Sequence, residues 1–109
     1  MSLSKVQREF SKDIVTLKVH MLEKGYEFTD GDAYRDPRVH GEYGEKKSYA
    51  SAHSRHKLKL ANDINLFLNG KYLTETEDHR YFGAYWEALH PDNIWGGRFK
   101  DGNHYERKR

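Results

Sequence analysis

The chain has 109 residues, of which 36% are hydrophobic and 33% charged, and its net charge is +2. That length suits one domain, expected to span residues 1–109, and the recurring Tyr, Phe, Trp, Leu and Ile exclude a disordered polymer. With no cysteine, disulfides, cysteine-based zinc fingers and thiol nucleophiles are excluded, so any metal must be held by His and carboxylate.

Acidic and basic residues are mixed along most of the chain, so the small positive charge does not imply a nucleic-acid partner. Lys5, Arg8, Glu9, Lys12 and Asp13 interrupt the N-terminal stretch, and no apolar run is long enough to cross a bilayer. Synthesis in the cytoplasm without a signal peptide, and no stable membrane association, are therefore expected.

From residue 3 to 24, Leu3, Val6, Phe10, Ile14, Leu17 and Met21 recur at spacings of three and four, which predicts a helix with one apolar face. Ser2 or Ser4 caps its start and Gly25 ends it. Residues 26–29 predict a strand, Asp30-Gly31-Asp32 a turn, and Ala33-Tyr34-Arg35 a second extended piece. Residues 38–52, rich in Gly, Glu, Lys, Ser and Tyr without periodicity, predict a long surface loop.

Ile64-Asn65-Leu66-Phe67-Leu68 predicts a buried strand, and Asn69-Gly70 a hairpin turn toward Lys71-Tyr72-Leu73. Thr74 and Glu77 have the spacing of a capping box, opening a helix through Phe82, Tyr85, Trp86 and Leu89 that stops before Pro91. Trp95-Gly96-Gly97-Arg98-Phe99 predicts a tight turn and His104-Tyr105-Glu106 a last strand, while Arg107, Lys108 and Arg109 read as a frayed, solvated end. Helical spacing and the nearby Gly96-Gly97 turn assign Tyr81, Phe82, Tyr85, Trp86 and Trp95 to core packing rather than to base stacking, with the wall of a cleft as the other place for Trp95, and His20, His40, His79 and His90 carry no usable signal.

The chemistry concentrates in two segments, residues 54–63 and 101–106. Two imidazoles and one carboxylate from His56, Asp63 and His104 suit a catalytic zinc, which takes three protein ligands and keeps a fourth position for water; Asp101 would serve as the base. The seven-residue offset between His56 and Asp63 puts their side chains on opposite faces of a regular strand, so joint ligation requires a turn between them, at residues 57–60. Spacing alone favours a surface histidine and a strand-end carboxylate, and Asp101-Gly102-Asn103 also describes a turn in which Asp101 bonds the backbone. His53, nearby, reads as a solvent-exposed loop histidine or a contact supporting the site.

Taken in order, Ser54-x-His56-x-x-x-x-Ala61-x-Asp63-Ile64, then Trp95-Gly96-Gly97, then Asp101-x-x-His104-Tyr105-Glu106, the pattern resembles the zinc D-Ala-D-Ala carboxypeptidase family. That family includes vancomycin-resistance D,D-peptidases and phage L-alanyl-D-glutamate endopeptidases, and the likeness is closest to the endolysin branch, where Asp stands three residues before the last histidine. It covers residues 26–106.

The resemblance implies an α+β fold, a small antiparallel sheet with flanking helices of the hedgehog and D,D-peptidase kind. It implies zinc bound by His56, Asp63 and His104, Asp101 as catalytic base, Arg35 contacting substrate or the developing oxyanion, and Ser54 near the substrate; Trp95 is expected to wall the cleft. Where the family has glycine this chain has Lys59, which fits a backbone with no positive φ. The expected activity is hydrolysis of the L-Ala–D-Glu bond of the peptidoglycan stem peptide by a monomeric phage or prophage endolysin, reaching the wall after membrane permeabilisation. A D-Ala-D-Ala carboxypeptidase with the same site, and a zinc-bearing binding domain without catalysis, are the alternatives.

Overall fold

A computed structural model describes residues 2–31, 43 and 54–109. The order is α1 (Leu3–Glu23), β1 (Glu27–Asp30), β2 (Ala61–Leu68), β3 (Lys71–Leu73), α2 (Arg80–Leu89), β4 (Asn93–Trp95) and β5 (His104–Arg107), with 3-10 turns at Arg55–Leu58, Thr76–His79 and Gly96–Phe99. The architecture is α+β, as expected. The predicted extended piece at 33–35 and loop at 38–52 lie outside the described residues.

Helix α1 starts where Ser2 Oγ accepts the Lys5 N–H at 3.2 Å. It closes with Tyr26 N–H donating to the Met21 carbonyl and Gly25 N–H to that of Leu22, the paired Schellman bonds, with Gly25 at φ 88. Its buried stripe is Val6, Phe10, Ile14, Leu17 and Met21.

Every strand pairing is antiparallel, in the order β1-β2-β5-β4. Strand β2 is the spine. β1 lies along one edge, while β5 follows the first half of the other edge and β3 its second half. The Asn69-Gly70 pair, φ 53 and 77, makes the predicted turn into β3. Alternation then sorts the side chains: Ile64 and Leu66 of β2, Tyr105 of β5 and Trp95 of β4 join the stripe of α1 and Phe82 and Trp86 of α2 in one core. Trp86 ties the layers, donating its indole N–H to the carbonyls of Ile94 (3.2 Å) and Glu106 (3.0 Å) and meeting Phe10 edge-on.

Two expectations are corrected and one element is added. The capping pair lies one residue later than Thr74 and Glu77, with the Glu75 N–H donating to the Asp78 carboxylate at 3.0 Å, because a 3-10 turn precedes α2. Strand β4 went unpredicted, being three residues long between Pro91 and the Gly-Gly turn. Arg107 is no frayed end: it is 2% exposed, since its place in β5 turns it to the core face, where it meets Asp13 of α1 and donates its Nε–H to Asn93 Oδ1 at 2.6 Å.

Candidate metal centre

The opposite face of β2 and β5 carries the chemistry. Asp63 pairs with His104 and Ala61 with Glu106 in the antiparallel register, so these four side chains share one face. His56 arrives from the 3-10 turn. Ser54 caps that turn, its Oγ accepting the His56 N–H at 3.2 Å, and the Lys59 and Leu60 N–H groups close it onto the carbonyls of His56 and Arg55. The reversal that the seven-residue spacing requires lies at residues 57–60. Lys59 makes it at φ 58, ψ 36, left-handed, which corrects the expectation of a backbone without positive φ.

His56, Asp63 and His104 each offer a ligand atom within 4.8 Å of the others. His56 Nε2 stands 3.3 Å from Asp63 Oδ1, and His104 Nδ1 stands 3.2 Å from the same oxygen. Bonds of roughly 2.0–2.2 Å to a tetrahedral ion set donor atoms about 3.3 Å apart, so the spacing and the two-imidazole, one-carboxylate set both fit a divalent metal. His56 is 1% exposed and His104 7%, so both imidazoles are buried.

Asp101 follows the Gly96–Phe99 turn and Lys100 at φ 60; its N–H donates to the Gly96 carbonyl at 2.9 Å, and its own carbonyl accepts the His104 N–H at 3.1 Å. Its Oδ2 lies 3.9 Å from His104 Nδ1, with the side chain half exposed. Gly96 is required there, because a Cβ on it would lie 2.2 Å from the Asp101 carbonyl oxygen. Trp95 is only 8% exposed and donates its indole N–H to the Gly102 carbonyl at 2.7 Å, so its place is beneath the turn that presents Asp101. Arg35 and His53 lie outside the described residues.

Burial pushes the Asp63 carboxyl up, but hydrogen bonds from His104 and His56 and their charge outweigh it, holding the group at about 2. Burial likewise opposes the His104 cation, yet bonds to Asp63 and Glu106 and their negative charge raise it to about 9.

Two contacts went unread in the sequence. Glu106 Oε1 lies 2.7 Å from His104 Nε2, and its other oxygen 3.5 Å from Arg55 Nε. The signal was available: residues two apart in a strand share a face. His79 is buried, its Nδ1 2.8 Å from the Tyr105 hydroxyl, and burial lowers its pKa to about 4.

Among the described residues, no helix is long and apolar enough to cross a membrane. Comparison with the sequence models of protein families gives no match, and comparison with curated proteins gives none.

Proposed function

We propose that this chain is a zinc-dependent peptidase of the peptidoglycan stem peptide, cleaving between L-Ala and D-Glu in the manner of a phage endolysin. The observation that carries this reading is the convergence of His56, Asp63 and His104 on one centre, with Asp101 Oδ2 3.9 Å from His104 Nδ1. The substrate class and the bond rest on the ordered motif resemblance, which also assigns this chemistry to the zinc D-Ala-D-Ala carboxypeptidase family.

His56, Asp63 and His104 would hold the ion. Zinc so held supplies Lewis acidity, lowering the pKa of a water toward about 7 and polarising a carbonyl. Asp101 takes a proton from the attacking water and returns it to the departing amine, work suited to a carboxylate that is half exposed and reachable by substrate. Arg35, by resemblance, balances negative charge on the tetrahedral carbonyl oxygen or pairs with a substrate carboxylate. Ser54 acts through the turn it caps, by holding the backbone of His56. Access to the wall would follow permeabilisation of the host membrane during lysis.

The test is digestion of isolated peptidoglycan, with mass spectrometry of the new termini, with and without chelator and beside His56→Ala. New N-terminal D-Glu that vanishes with chelator or substitution is the expected result. Release of free D-Ala would move the assignment to a carboxypeptidase, and bound zinc without any cleavage would make the chain a zinc-bearing binding domain.

A further inference from the structure

A histidine has two ring nitrogens, and which one is free to bind a metal depends on what holds the other. In His104 the two are sharply divided: Nδ1 faces Asp63 Oδ1 at 3.2 Å, inside the three-residue group, while Nε2 points away to Glu106 Oε1 at 2.7 Å. Glu106 reaches it because the two residues sit two apart on β5, on one face, and because the cross-strand partner of Glu106 is the small Ala61. The glutamate is itself fixed. Its carbonyl accepts the Trp86 indole N–H at 3.0 Å, and its second carboxylate oxygen lies 3.5 Å from Arg55 Nε, whose Nη1 donates to the Tyr43 hydroxyl at 3.1 Å.

We infer that Glu106 is a positioning residue for the metal centre: it accepts the Nε2–H of His104, selecting the tautomer whose Nδ1 lone pair is turned toward Asp63 and His56, with Arg55 holding the carboxylate in place. This rests on the reading of His56, Asp63 and His104 as a metal site. Arg55 thereby links both halves of the centre, since it precedes His56 in the turn and grips the partner of His104. Carboxylates that orient a ligating histidine in this way are worth about 10–100-fold in metal affinity.

The experiment measures zinc affinity by competition with a chromophoric chelator for the full chain and for Glu106→Ala, Glu106→Gln and His104→Ala, with thermal unfolding of each. Glu106→Ala should weaken zinc binding by about 10–100-fold, whereas Glu106→Gln, whose amide oxygen still accepts Nε2–H, should stay within about threefold of the parent. Equal affinity in Glu106→Ala, with binding lost in His104→Ala, would overturn the positioning role while leaving the metal site standing; a parent chain that binds no zinc would remove the metal reading itself. If Glu106→Ala does not fold, long-range proton–nitrogen NMR of His104 in the zinc-loaded parent decides the matter. A proton on Nε2 with the metal on Nδ1 is expected, and the reverse overturns the inference.

Discussion

Gly83→Ala tests the packing beneath the site, because helix propensity and tertiary contact predict opposite signs. Gly83 lies inside α2, where an open position would gain about 1 kcal/mol from alanine. Here the added Cβ would stand 2.1 Å from Trp95 Cδ2, 2.5 Å from Cγ and 2.6 Å from Cε2, atoms of a buried ring that has no flexible end to move aside. Trp95 is also confined from Gly97, where a Cβ would meet the far edge of the same indole at 2.3 Å. Overpacking of a closed core costs about 1–3 kcal/mol. Displacing the indole also strains its 2.7 Å bond to the Gly102 carbonyl, and a buried acceptor left unmet costs about 1–3 kcal/mol more. The net expectation is destabilisation by about 1–5 kcal/mol, read by urea unfolding as a lower midpoint at unchanged slope. The shift should reach the turn that presents Asp101, so the proposed peptidoglycan cleavage should fall in the folded fraction too. A Gly83→Ala chain as stable as the parent, or more so, would refute the account of how Trp95 is held.

Lys59→Gly should stabilise the chain by about 1 kcal/mol, since a left-handed conformation strains any residue with a Cβ; a lower unfolding midpoint would contradict this. Asp13→Ala should cost about 1–3 kcal/mol by removing the nearer of two carboxylates that balance the buried Arg107 guanidinium, the other being Glu9 at 3.6 Å, and the second change Arg107→Met should recover most of it; an undiminished loss in the double variant would show that the pair is not the cause. His79 is held near 4 in the folded chain against about 6.5 unfolded, so the unfolded chain binds the extra proton between these values. Stability from this group is complete above pH 6.5 and falls, by up to about 1.4 kcal/mol per pH step, as pH drops toward 4. In chelator, His79→Gln should flatten that limb of the curve, and an unchanged slope would assign it elsewhere. Arg35→Ala should leave zinc affinity intact while lowering turnover; equal turnover would remove Arg35 from the mechanism.

The sequence patterns reached as far as their physical periods allow. The six apolar positions of α1 and the Asn-Gly turn are local signals, and they placed a helix and a hairpin correctly. The need for a reversal between His56 and Asp63 was legible from parity alone, and Ser54 and Lys59 supply it. What local reading could not show was pairing. The register that sets Asp63 against His104 joins residues 41 apart in sequence, and the ion pair that buries Arg107 joins residues 94 apart. Glu106 was missed for a different reason: its period-two relation to His104 was visible, but its importance depends on the second ring nitrogen, which only the structure locates.

The central claim is that His56, Asp63 and His104 hold one zinc ion, and X-ray absorption of the zinc-loaded chain beside His56→Ala, Asp63→Ala and His104→Ala tests it most directly. One bound zinc per chain is expected, with two imidazole nitrogens and oxygen donors in its inner sphere at roughly 2.0–2.2 Å. Each substitution should abolish that signature. Failure of the parent chain to retain stoichiometric zinc, or an unchanged spectrum in all three variants, would contradict it.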